Sequence, residues 1–144
     1  MTAITFHVPG APVGKARPRA TTVAGRARMY TPAKSVSYEG LVAMQAQLAM
    51  EGRQLLEGPV RLHLLVGLPV PASWSKKKQA AALARQVLPT KKPDWDNVAK
   101  AICDGMNGVV WRDDVQACSA TVDKVYSATP GVTVTATPME GAAA

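Results

Sequence analysis

Cysteine, aromatic residues and long apolar runs are all scarce in this chain. Its 144 residues include two cysteines, Cys103 and Cys118. No C-x-x-C spacing relates them, which fits reduced thiols in a cytoplasm and places both as small core residues. No apolar run approaches the ~18 residues that span a bilayer, so no membrane partner is expected. The opening MTAITFHVPG lacks a basic stretch followed by a hydrophobic one, and no secretory signal is read there. His7 and His63 fall within predicted strands and neither has a partner at metal-ligand spacing, which disfavours a histidine metal site. No internal repeat is present.

Hydrophobic residues make up 47% of the chain and charged residues 19%, which argues against disorder and for one globular domain over residues 1–140. The tail 141–144 has nothing to bury and is expected to fray. The net charge of +7 is unevenly spread. Residues 1–92 carry 14 Lys or Arg against three acids, whereas residues 93–144 carry three against seven. Such a division suggests a polyanion held on one surface and something cationic held at another.

Apolar alternation predicts a first strand at Ile4–Val8, stopped by Pro9-Gly10, and a Gly-, Pro- and Arg-rich loop over 10–31. A helix follows from Pro32 to about Met50, with Val36, Leu41, Val42, Met44, Leu48 and Ala49 suiting its apolar face. Val60–Leu68 reads as the best strand, with Leu62, Leu64, Val66 and Leu68 on one face. Ser73 or Ser75 caps a second helix running to about Val87. A third helix spans about Asp96–Met106, with Asn107-Gly108 as its stop. Gln116–Ser127 and Val132–Thr137 are two further strands. The expected class is α+β, a mixed sheet of four or five strands with about three helices packed on it.

Five of the six aspartates, Asp94, Asp96, Asp104, Asp113 and Asp114, fall within 21 residues, without a glutamate among them. Asp94 and Asp96 share a face while the chain is extended. Asp104 lies about 80° round the helix from Asp96, so it is expected to flank the group. Asp113-Asp114 follows the helix stop, where the chain can turn back. Carboxylates gathered this way repel unless a cation compensates, and hard oxygen donors suit Mg²⁺, with Mn²⁺ as a substitute. The bland account is that Asp94 and Asp96 cap the helix, each contributing about 0.3–1 kcal/mol, while Asp96–Lys100 forms an i, i+4 pair. That account leaves Asp113-Asp114 without a role.

The run Lys92-Pro-Asp-Trp-Asp-Asn-Val-Ala-Lys100, then Asp104-Gly-Met-Asn-Gly108, then Asp113-Asp-Val-Gln116, resembles the signature of the RusA-type Holliday-junction resolvases. Pro9-Gly10-x-Pro12, Lys15-x-Arg17-Pro18-Arg19, Tyr30-Thr-Pro32 and Ser73-Trp-Ser75 extend the likeness over most of the chain. Met106 departs from the family's usual leucine, a near-isosteric change. The resemblance implies a homodimeric α+β nuclease, bacterial or phage-borne, that nicks four-way DNA junctions symmetrically with Mg²⁺. It makes Asp94, Asp96 and Asp114 the essential carboxylates and Lys100 the essential lysine. It adds Asp113 as a metal ligand or its support, and leaves the roles of Asn97, Asp104, Asn107 and Gln116 open. A nuclease of broader flap or fork taste, or a branched-DNA-binding protein whose acids merely form salt bridges, are the competing expectations.

The basic residues fit a DNA partner. Lys15, Arg17, Arg19, Arg26 and Arg28 lie in one segment that can follow phosphates. Lys76, Lys77 and Lys78 open a helix, where cations oppose the dipole unless an anion is near. Lys91 and Lys92 adjoin the acids. Trp95 and Trp111 bracket the acidic segment; either could stack on a base or wedge at a junction centre, but both are expected as packing anchors in the core or at a dimer contact.

Overall fold

A computed structural model of the chain describes residues 2–16, 19–23, 25–30 and 33–140. The expected frayed tail, 141–144, lies outside the described residues. The main sheet has four strands: β1 (Ile4–Pro9), β4 (Val60–Pro69), β5 (Ala117–Ser127) and β6 (Gly131–Pro138), in the order β1-β6-β4-β5. β6 pairs antiparallel with both β1 and β4, while β4 and β5 run parallel. A parallel pair needs a crossover, and the chain between β4 and β5 supplies it with helices α2 (Lys76–Leu83) and α3 (Trp95–Met106). The remaining helix, α1 (Ala33–Met50), packs on α3 and β1. The mixed sheet with three helices is the α+β fold expected.

The core lies between one face of the sheet and the helices. Ile4, Phe6 and Val8 of β1, the Val60–Leu68 alternation of β4 and Val132, Val134 and Ala136 of β6 meet Val42 and Ala46 of α1 and Val98, Ile102 and Met106 of α3. The alternate residues Thr5, His7, Arg61 and His63 are exposed, as a period of two requires.

Four local expectations need correction. Residues 19–30 are not loop: β2 (Arg19–Val23) pairs antiparallel with β3 (Arg26–Tyr30) as a separate hairpin. Gly25, at φ +75°, supplies the positive dihedral that its tight connection demands. Arginine and glycine content masked the β-branched run Thr21-Thr22-Val23. On α1, Leu41, Val42 and Ala49 pack on the core as expected, but Val36, Met44 and Leu48 are exposed, and the fully buried face is Ser35, Tyr38, Val42, Ala46 and Met50. Apolar residues surround this helix, so its orientation is set by fit. At Gly105 of α3 an added Cβ would meet Val42 at 2.6 Å and the Glu39 carbonyl at 2.9 Å. α2 stops at Leu83 rather than near Val87, because Arg85 adopts a left-handed φ of +62° and closes the last turn. Its start is as expected, with Ser75 Oγ accepting from the Lys78 N–H at 3.2 Å. Finally, Cys103 packs against the core but Cys118 is exposed on β5, so only the first is a core thiol.

Candidate active site

Asp94 occupies the N-cap of α3 with extended dihedrals, φ −68° and ψ 144°, yet its side chain makes no capping hydrogen bond. Its carbonyl accepts the first helical hydrogen bond, from the Val98 N–H at 3.1 Å, while the carboxylate takes no part in closing the helix start. Asp96 sits exposed in the first turn. Both acids lie at the positive end of the helix dipole.

The second half of the acidic segment returns by a defined route. After α3, Asn107 Oδ1 accepts from Trp111 Nε1 at 2.8 Å, and Trp111 is fully buried. The chain then makes a single 3-10 turn, Asp114–Gln116, packed against α3. Gln116 clamps it. Its Oε1 accepts from the N–H groups of Arg112 and Asp113 at 2.9 and 3.3 Å, and its Nε2 donates to the carbonyls of Leu56 and Gly58 at 2.9 and 3.1 Å. Asp113 Oδ2 accepts from the Val115 N–H, completing a capping box. Asp113 therefore shapes the turn, and the turn delivers Asp114 to Lys100, whose Nζ donates to Oδ2 at 3.3 Å.

Lys100 also meets Asp104 at 2.9 Å, one helical turn on, and Asp104 in turn lies 3.1 Å from Lys15, which meets Glu39 at 2.8 Å. Among the described residues, the expected Asp96–Lys100 pair is replaced by this chain of alternating charges. The helical tilt of side chains toward the N-terminus lets Asp104 reach back to Lys100, while Asp96 points away into solvent. Asp104 flanks the acids, as its helical angle required, but it also ties the lysine down. Partial burial raises the Asp104 pKa, and hydrogen bonds from Lys100 and Lys15 outweigh it, leaving the carboxyl below its ordinary range. The same Asp104 contact pushes Lys100 up to about 12 against a smaller opposing effect of burial. Lys100 is thus a fixed cation at neutral pH.

Two grooves meet at Asp94. One, of about 510 Å³, is lined by Lys15, Lys34, Lys92, Asp94 and Asn97 among others. The other, of about 680 Å³, is lined by Thr90, Lys91, Lys92, Asp94, Trp95, Asp96 and Lys124. Lys34 and Lys124 were not singled out from the sequence. Lys34 opens α1, where the helix-start argument applied to Lys76 would have found it; Lys124 is an isolated strand residue with no local signal. Its Nζ donates to the Lys91 carbonyl at 2.8 Å, bracing that wall. Lys76 and Lys77 are exposed at the start of α2 and line neither groove, and Lys78 sits 4.0 Å over the Trp74 ring. Arg17 lies outside the described residues, as do the side chains of Arg19, Arg26 and Arg28 on the hairpin. Trp111 is the packing anchor expected, but Trp95 is 57% exposed. The structure assigns Asn97 a part through its backbone: its carbonyl accepts from the Lys15 N–H at 2.8 Å, seating the Lys15 segment beside α3.

Among the described residues no three carboxylate, thiol or imidazole side chains gather as a ready metal cage. Mg²⁺ commonly takes one or two carboxylates and completes its shell with water and phosphate. The acids at the start of α3 match that requirement in donor chemistry.

A lysine-lined groove thus reaches the acids at the start of α3, with Lys100 held further along the helix by Asp104 and Asp114. The chain matches the endodeoxyribonuclease RusA family over residues 9–137 and belongs to that family. It is also similar to the Bacillus subtilis (strain 168) protein YqaN, at 38% identity over 136 residues, covering 93% of this chain and 95% of the relative; the name of that protein, "uncharacterized", assigns it no activity. No helix among the described residues is long and apolar enough to cross a membrane.

Proposed function

We propose that the chain is a Mg²⁺-dependent, structure-selective endonuclease that resolves four-way DNA junctions by paired symmetric nicks, serving recombination and repair as a cytoplasmic homodimer. The observation that carries this reading is the pair of exposed acids, Asp94 and Asp96, at the start of α3 on the lysine-lined groove of Lys91, Lys92 and Lys124. Asp94 and Asp96 would hold the metal, with Asp114, seated on Lys100, as the third essential carboxylate that membership of the family implies and Asp113 supporting it through the turn it caps. The metal supplies an activated water and charge neutralisation at phosphorus. Lys100, protonated throughout the neutral range, stabilises charge that develops on the phosphate rather than accepting a proton. The lysines of the two grooves, Lys92 in both, lead the backbone past Asp94. Hydrolysis leaves a 5′-phosphate and a 3′-hydroxyl. A homodimer suits a junction, since two equivalent strands are cut by two equivalent sites.

The test is nicking of a synthetic four-way junction with and without Mg²⁺. Wild type should cut both opposing strands only with the metal, and Asp96→Asn should stop cutting while keeping or tightening junction binding, because it removes negative charge beside DNA. Cleavage that survives Asp96→Asn, or wild type that binds the junction without cutting it in Mg²⁺ or Mn²⁺, refutes the reading.

A further inference from the structure

Trp95 is the first residue of α3, flanked by Asp94 and Asp96, and it lines the groove walled by Lys91, Lys92 and Lys124. At 57% exposure it stands outside the core, in contrast to fully buried Trp111. A scattered exposed apolar residue is ordinary; an exposed indole within a lysine-lined groove is a different object. Lysines along a groove hold phosphates, while an aromatic face among them takes a base, since every base has a face to stack.

We infer that Trp95 is a base-stacking residue, taking an unpaired or splayed nucleobase of the strand whose phosphates lie along Lys91, Lys92 and Lys124. This deepens the nuclease reading, on which it rests for DNA as the ligand. It also gives that reading a source of structure selectivity: a base that is already unstacked, as at a branch point, reaches the indole without the cost of opening a duplex.

The experiment is a titration of intrinsic tryptophan emission in the full chain with a single-stranded oligothymidylate and with a four-way junction, Ca²⁺ replacing Mg²⁺ to block cutting. Wild type, Trp95→Phe and Trp95→Leu are compared, and junction nicking in Mg²⁺ is measured on the same three proteins. Emission should be quenched in wild type and lose most of that response in Trp95→Phe, because Trp111 is buried and half-buried Trp74 does not line this groove. Phe, which still stacks, should keep most of the affinity, and Leu should weaken binding roughly 5- to 150-fold. Melting temperatures should not differ, the side chain being exposed. Unchanged emission at saturation, or Trp95→Leu binding as tightly as wild type, overturns the assignment even if wild type nicks normally. Quenching with no nicking by wild type would sink the nuclease reading and leave the stacking site standing. No DNA binding by wild type would sink both.

Discussion

Asp104→Asn separates the electrostatic role of this carboxylate from its shape. The carboxylate lies 2.9 Å from Lys100 and 3.1 Å from Lys15, and its side chain is 17% exposed. A hydrogen bond to a charged partner contributes about 1.5–3 kcal/mol when sheltered. Lys100 is 54% exposed, so solvent screens its share to below ~1 kcal/mol. Lys15 is 22% exposed and keeps Glu39 at 2.8 Å, so no buried charge is orphaned by the substitution. Asn still accepts one hydrogen bond. The expected loss is about 1–2 kcal/mol, a fall in Tm of roughly 3–8 °C for a chain of this size. Because the folded pKa of Asp104 is lowered from 3.8, its contribution is present above that value and lost as pH falls through the depressed pKa. Thermal melts of both proteins should therefore differ at neutral pH and converge in strong acid. Junction nicking should fall about ten- to a hundred-fold in kcat with KM little changed, since Lys100 loses its anchor but keeps its charge. Equal Tm values at neutral pH, or a gap that persists unchanged well below the carboxylate range, would refute the argument.

Gln116→Ala removes four hydrogen bonds to the backbone and should cost about 2–4 kcal/mol in urea unfolding, with nicking lost beyond that stability change because Asp114 is no longer delivered to Lys100. In Gly105→Ala the new methyl would sit 2.6 Å from Val42 Cβ and 2.9 Å from the Glu39 carbonyl; overpacking outweighs the helix-propensity gain, and chemical denaturation should register a net loss of about 1–2 kcal/mol. Maleimide at neutral pH should label exposed Cys118 quickly and leave native Cys103 untouched, since burial and the nearby Asp114 charge push that thiol up to about 12; mass mapping that finds Cys103 labelled first would contradict this.

The sequence by itself determined what short-range physics controls. Apolar alternation bounded by proline and glycine marked β1, β4, β5 and β6, and amphipathic spacing with an Asn-Gly stop marked α3. The aspartates and Lys100 were legible because their chemistry and spacing are local. The hairpin at 19–30 was not legible, since pairing of β2 with β3 is a matter of register, and its composition read as loop. Tertiary structure alone decided which side of α1 is buried, because an apolar surface all round is oriented by the close approach of Val42 to Gly105. It alone distinguished Trp95 from Trp111, two indoles that look equivalent along the chain. It also chose the partners of Lys100: a helical offset points to Asp96, but Asp114 is brought from 14 residues away by a turn that Gln116 fastens to Leu56 and Gly58, some 60 residues distant. Long side chains near several opposite charges settle by packing, and packing is a property of the whole fold.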